Sequence, residues 1–454
     1  MHQKARRKKM EKRSSRNQNG PIFRLVGKLI RFFRNYHQWS NKTFIAVLLI
    51  AVAISMALTL LAEGLKGFPL TSSSTTVVSQ TADSKEKTTA TEQETSARIM
   101  ANGDLLYHDI IYISAKKADG TYDFHENFEY VKPWLKQADL VIGDFEGTVN
   151  KDHYLAGYPL FNAPGEVMDA IKDAGYQVLD LAHNHILDSQ IEGVVSTADA
   201  IEKAGMTPIG VYTHEPRDKA PIVIKEVNGI KVALLAYSYG FNGIEQSISQ
   251  EDYNRYLSDL DEDKMKAEIE RAEKEADITI IMPQMGVEYQ IEPTEEQKKL
   301  YHKMIDWGAD IIFGGHPHVV EPAETVEKNG DKKLIIYSMG NFISNQRIET
   351  MTDVVNAKWT ERGVLMDLTI EKSGGKTRIK TAKAHPTWVS KTPKGSRASN
   401  GFPQYLYQTY ILEDFIEGGK YRYKLDEKTK IRADNAYKET NELINLKWNH
   451  HGTE

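Results

Sequence analysis

Ala309-Asp310-Ile311-Ile312-Phe313-Gly314-Gly315-His316-Pro317-His318 is an apolar run that turns through a glycine pair into two histidines. Such a run entering a Gly-rich corner predicts a buried strand ending in a tight turn. Two imidazoles at that corner can both face the carboxyl edge of a sheet, where open α/β sheets bind their ligands. The same pattern stands at three earlier places: Ile99 to Asp104, Leu140 to Glu146 and Val178 to His185. Each apolar stretch ends in Asp, Glu, Asn or His. Four such endings on separate strands predict one polar site built along a sheet edge.

Carboxylates and imidazoles on separate strand ends suit a divalent metal or a dinuclear centre, because each element supplies one or two ligands and the sheet fixes their separation. Asp104, Asp144 and Glu146 offer carboxylate oxygens, Asn184 an amide oxygen, and His185, His316 and His318 ring nitrogens. That mixture suits Mn, Fe or Zn better than Ca, which prefers oxygen alone. A divalent ion (Mn, Fe, Zn or Mg) is the expected cofactor. The chain has no Cys, which removes soft ligands and thiol chemistry. Each residue has a plainer reading as well: Gly-Asp after a strand commonly caps or turns the chain. The argument for a site rests on the four endings together.

The residues also resemble a known family, the CapA-type proteins of bacterial capsule synthesis, whose domain resembles calcineurin-like metallophosphatases. The matching pieces are Gly103-Asp104, Gly143 to Glu146, Asn184-His185 with Asp188, Gly286-Val287-Glu288-Tyr289, Gly315 to His318 and Tyr337 to Phe342. They occur in the family's order between about Ser96 and Ser344. The resemblance implies a four-layer αββα sandwich. It also implies site-lining roles for Glu288 and Asn341, and poly-γ-glutamate or a similar anionic polymer as the substrate class. Some positions depart from the pattern. Leu105 and Leu106 follow Asp104 where metallophosphatases carry Asp-x-His, and Gln284 stands where the capsule family commonly has His. Asp144 stands where that family more often has Asn. One ligand is lost and one carboxylate gained.

Charge is distributed unevenly. Residues 1–43 hold thirteen Lys and Arg against Glu11, a net +12, which leaves −17 for the rest of a chain whose total is −5. Phe44 to Ala62 follows, uncharged throughout. At about 1.5 Å per residue it nearly spans a hydrocarbon core of roughly 30 Å. A cleaved signal peptide would have a shorter positive region and a small-x-small cleavage site. The positive-inside rule then predicts a single-pass signal anchor, with the head in the cytoplasm and the acidic remainder outside. The head's partner is expected to be anionic lipid rather than nucleic acid. Residues 63–96, rich in Ser, Thr, Gln, Lys and Glu, read as a flexible stem. Residues 97–391 form the expected globular domain and 392–454 a C-terminal extension, with few apolar runs to say whether it packs back.

Within that domain, helices are expected over Glu166 to Ala174, Ile191 to Ala204, Asp263 to Ala276 and Thr294 to Trp307, the last opening on a Thr-x-x-Gln capping pattern. Asn228-Gly229 and Ser373-Gly374-Gly375 predict hairpin turns. Alternating helices and strands followed by hairpins make a layered α/β domain. Three functions fit. The first is a membrane-anchored extracellular factor for capsule-polymer synthesis, export or attachment, acting beside membrane capsule-synthase components. The second is an exported metal-dependent hydrolase in which His185 is the general acid. The third is a non-catalytic polymer-binding scaffold.

Overall fold

The computed structural model describes residues 94–448. The basic head, the apolar run Phe44 to Ala62 and nearly all of the stem lie outside those residues. Among the described residues, no helix is long and apolar enough to cross a membrane.

The described strands form two sheets. β1 (Thr95–Leu105), β2 (Leu140–Asp144), β3 (Val178–Asp180) and β4 (Thr207–Ile209) run parallel as neighbours. β5 (Val223–Val227), β6 (Ile230–Ser238), β7 (Ile278–Gln284), β8 (Ile311–Phe313), β9 (Ala323–Lys328) and β10 (Asp331–Ile336) form the second sheet, in the order β5-β6-β7-β8-β10-β9. β11 (Asn341–Ile343) returns to the first sheet and pairs with the end of β1. β12 (Arg362–Ser373), β13 (Lys376–Arg397) and β14 (Pro403–Ile411) extend that sheet antiparallel beyond β1. The helices are α1 (Asp109–Ala115), α2 (Lys132–Leu135), α3 (Val167–Ala174), α4 (Gln190–Lys203), α5 (Gln250–Tyr256), α6 (Glu262–Glu275), α7 (Glu295–Trp307) and α8 (Glu427–Ile444).

Strand periodicity explains the layering. In β1 and β2, Ile99, Ala101, Leu140 and Ile142 join an apolar cluster with Val232, Ile280, Ile311 and Leu334 of the second sheet. Their neighbours Met100 and Val141 join a different cluster, with Ile171 of α3 and Val194 and Ile201 of α4. Ala233, Ile281 and Ile312 likewise turn away from the shared core, toward Met265 and Ile269 of α6 and Tyr301 and Met304 of α7. Each sheet is thus covered on both faces, by the other sheet and by helices, which is why its strands read as continuous apolar runs. Ile142 and Ile280 are fully buried in the shared core. Truncating either to Ala would cost about 2–5 kcal/mol.

Local signals hold where the chemistry is specific. Thr294 Oγ1 accepts from Gln297 N at 3.1 Å while Gln297 Oε1 accepts from Thr294 N at 2.8 Å, a complete capping box. Asn228 and Gly229 both have positive φ (51° and 79°), the conformation a two-residue hairpin turn requires.

The C-terminal boundary needs correction. The expected break at 391/392 falls inside β13, and β14 is an edge strand of the same sheet. α8 then packs Ala433 and Ala436 against Trp388, Tyr410 and Phe415. Its buried face is made largely of small residues, so it carries little apolar signal in sequence.

Candidate metal centre

The four polar strand endings arrive at one rim because their strands are parallel neighbours or face one another across the two sheets. Asp104 pairs in register with Asp144, and Asp144 with Asp180. Backbone approach fixes the corner. A Cβ on Gly103 would stand 2.0 Å from Gly340 O, and one on Gly314 would stand 2.0 Å from Tyr337 O. Only glycine admits these crossings. His316 and His318 both have positive φ, 95° and 57°, a strained state for a side chain with a Cβ. The turn is clamped from outside: Tyr289 N donates to Pro317 O at 2.8 Å, and Asn341 Nδ2 donates to His318 O at 3.2 Å and Thr360 O at 2.8 Å.

Asp104, Glu146 and His318 present ligand atoms that all lie within 4.8 Å of one another. His318 Nδ1 is 2.8 Å from Asp104 Oδ2 and 3.6 Å from Glu146 Oε2. Burial opposes charge on His318, but Glu146 and the hydrogen-bonded Asp104 prevail and raise its pKa to about 10. Burial pushes Glu146 up to about 7, with His318 opposing the rise. Asp144 is pushed well above the carboxylate range by burial and by the charges of Asp180, Asp104 and Glu146. Burial also raises Asp180, a residue sequence reasoning passed over, to about 8. A rim this crowded with carboxylates calls for a cation.

The buried atoms without hydrogen-bond partners give the test of fit. They include Asp104 Oδ1, Asp144 Oδ1, both oxygens of Glu146, Asn184 Oδ1, Gln284 Oε1 and His316 Nδ1. A buried acceptor without a donor is costly, and natural folds contain few. Several at one rim, with one imidazole nitrogen, are the donor set of a divalent ion with mixed oxygen and nitrogen ligands. The residues present fit such an ion.

The other expected residues divide. His316 packs on Tyr239, with ring centroids 4.4 Å apart, and burial followed by the charges of His318 and His185 lowers its pKa to about 3. It is therefore neutral, with a nitrogen free to donate. Gln284 Nε2 donates to Asp144 Oδ2, which leaves its Oε1 without a partner at the rim. Asn341 clamps the turn through its amide nitrogen while its oxygen is left without a partner. Glu288 is exposed on the loop after Gly286 and is not among the three clustered ligands, though its charge acts on both Glu146 and His318.

Beside the carboxylates stands a second pair. His185 Nδ1 lies 2.7 Å from Asp188 Oδ2, which also accepts from Phe161 N at 2.6 Å. Phe161 packs edge-on against the His185 ring at 4.8 Å. Burial lowers the pKa of His185, but Asp188 and Glu146 together lift it above the usual imidazole value. With Nδ1 committed to Asp188, the proton that His185 can give sits on Nε2. Asn184 Nδ2 reaches Asn242 Oδ1 at 3.3 Å, which leaves its own oxygen free. The i,i+3 spacing of His185 and Asp188 was the available sign of this pair; Asn242, from a distant loop, left none.

Residues 98–346 match the model of the bacterial capsule synthesis protein family PGA_cap, and every residue of this rim lies within the match. The chain is 34% identical over 228 residues to the capsule biosynthesis protein CapA of Bacillus anthracis, covering 48% of this chain and 54% of that one. The match thus spans about half of that relative's length. It is 28% identical over 313 residues to the PGA biosynthesis protein CapA of Bacillus subtilis (strain 168), covering 67% of this chain and 77% of that protein. Among solved structures, a calcineurin-like phosphoesterase from Bacillus subtilis overlays with a TM-score of 0.40 at 15% identity, covering 65% of this chain and 91% of its own. With more than half of its 454 residues matched to one family model, the chain belongs to the bacterial capsule synthesis protein family PGA_cap.

Proposed function

We propose that this protein is a membrane-anchored extracellular factor for the synthesis, export or attachment of a capsule polymer, poly-γ-glutamate or a similar polyanion. The family match, which runs through all the residues of the rim, carries the reading. In this reading Asp104, Glu146 and His318 hold a divalent metal, with Asp144, Asn184 and His316 beside them. Such an ion supplies positive charge that polarises a bound carbonyl or phosphoryl oxygen and lowers the pKa of water. The chain's own residues do the rest. The carboxylates fix the cation, the clamped His316-Pro317-His318 turn holds its nitrogens in place, and the buried walls exclude bulk water. The anchor Phe44 to Ala62 keeps the domain beside membrane synthase components and puts it outside the cell.

A specific observation favours a second reading, an exported hydrolase of phosphate ester or amide bonds. His185, oriented by Asp188, places a proton at Nε2 next to the carboxylate cluster, where a leaving oxygen or nitrogen would need it.

Two measurements test these readings. Cells carrying Glu146→Gln in place of the native chain should lose surface polymer at unchanged protein level; normal capsule would overturn the site assignment. Protease added to intact protoplasts should remove the domain after residue 63 and spare the basic head. A protected domain would overturn the topology.

A further inference from the structure

A polyanion approaching this rim meets Asp104, Asp144 and Glu146, so the approach needs a local cation. Cations on the segments that follow the rim are paired. Arg347 binds Glu349 at 2.7 Å, and Arg362 and Lys358 each bind Glu439 at 2.7 Å. Lys391 on β13 is different. Its Nζ donates to Asn345 Oδ1 at 3.0 Å and lies over the rings of Tyr405 and Tyr407, at 4.4 and 5.5 Å from their centroids. Among the described residues no ion pair reaches it. Glu349 acts on it only from a distance and is itself held by Arg347 and Arg432. Burial and the neighbouring Arg347 hold its pKa below the ordinary lysine value. Folds pair the charges they bury, so a half-buried ammonium next to a guanidinium, without a counter-ion, is arranged for an anion from outside.

Its position leads to the site. Asn345, which holds Lys391, also donates its backbone N–H to His108 Nδ1 at 3.3 Å. His108 packs edge-on to Phe161 at 5.2 Å, and Phe161 edge-on to His185 at 4.8 Å. His108 feels the charges of His318, His185 and Lys391 together. Lys391 also lies beyond the residues 98–346 shared with the family model.

We propose that Lys391 is a substrate-positioning residue that binds a free carboxylate of the polymer chain as it passes into the metal centre. This rests on the capsule-polymer reading above and adds the residue that holds the chain in register. A γ-linked glutamate polymer carries one free carboxylate per repeat. Holding one carboxylate at Lys391 would keep the chain on the side of the rim that His108 and Phe161 border, while Tyr405 and Tyr407 flank the ammonium.

The test uses the full chain, purified in mild detergent, with poly-γ-glutamate of defined length as the probe and calorimetry as the readout. Lys391→Met keeps the stem packed on the tyrosines and removes the charge. It should weaken polymer binding about tenfold, as the loss of one charge-assisted hydrogen bond does, and reduce the salt dependence of binding. Lys391→Arg should restore most of the affinity. Metal affinity and the urea midpoint should match the parent in both variants. If the parent binds polymer and Lys391→Met binds it equally well, the Lys391 assignment falls while the capsule-polymer reading stands. If the parent does not bind the polymer at all, both fall. An equal loss of metal affinity in Lys391→Met would make its role structural and overturn the assignment.

Discussion

Along the seam where α8 meets the sheet, Glu361 is 2% exposed, and its carboxylate is held by Arg432 and, at 3.5 Å, by Arg347. At the candidate metal centre Glu146 is 1% exposed, and neither of its oxygens has a hydrogen-bond partner. Both regions bury carboxylates beside cations at similar depth. The seam satisfies Glu361 and leaves one oxygen open at Glu413, whereas the rim gathers several open oxygens from Asp104, Asp144 and Glu146. Burial of charge therefore does not by itself mark a functional site. A cluster of unsatisfied acceptors does.

The contrast breaks or sharpens under four substitutions. The largest effect is expected from Glu146→Gln, which removes a ligand without changing shape. Metal affinity measured by calorimetry should fall on the order of 10²–10³-fold, more than the tenfold to hundredfold loss typical of an outer-shell partner. The urea midpoint of the metal-free protein at pH 8 should stay level or rise, because the carboxylate's raised pKa means that its charge opposes folding there. A large fall in that midpoint would make Glu146 a structural residue like Glu361.

Arg432→Ala makes the opposite case. It should cost roughly 3 kcal/mol in urea unfolding by stranding Glu361 and freeing α8, with metal affinity unchanged. A neutral result would show that the seam's pairing is ornamental.

His385 gives the seam a pH signature. It lies 2.9 Å from Glu413 and 3.4 Å from Asp367, and although burial opposes its charge, those partners raise its pKa to about 9. The folded value exceeds the unfolded one of about 6.5. Its stabilisation is therefore complete below about pH 6.5 and is lost as pH rises through about 9. His385→Gln should flatten the fall in urea midpoint across that window, a difference on the order of 2 kcal/mol. An unchanged pH profile would remove His385 from the account.

The smallest effect on stability is expected at Asn184, whose oxygen has no partner. Asn184→Ala should shift unfolding by roughly 0.5 kcal/mol while weakening metal binding measurably. A loss above about 2 kcal/mol would mean that Asn184 supports the fold.

Sequence alone revealed the strand endings, because an apolar run that stops at Gly-Asp or Gly-Gly-His carries its own punctuation. It revealed the hairpin at Asn228-Gly229 and the capped start of α7 for the same reason: the signal is local. What stayed hidden was set by contacts distant in sequence. Gln284 read as a position where a ligand is lost, and only the fold sets its amide nitrogen against Asp144 and leaves its oxygen free. Nothing near Lys391 announces that Tyr405 and Tyr407 will flank it, since that depends on the β13–β14 pairing. Glu288 sat in a family motif; its loop leaves it exposed while its charge reaches Glu146 and His318.

Asp104 and Glu146 stand at the ends of strands in one sheet, whereas His318 follows β8 in the other. A chain in which only one sheet has formed owns at most two of the three ligands. An ion bound here is therefore a rivet between layers and a checkpoint on assembly, present only after the two sheets have docked in register. At an ion concentration one hundred times its dissociation constant, that rivet would add about 2.7 kcal/mol to the docked state alone.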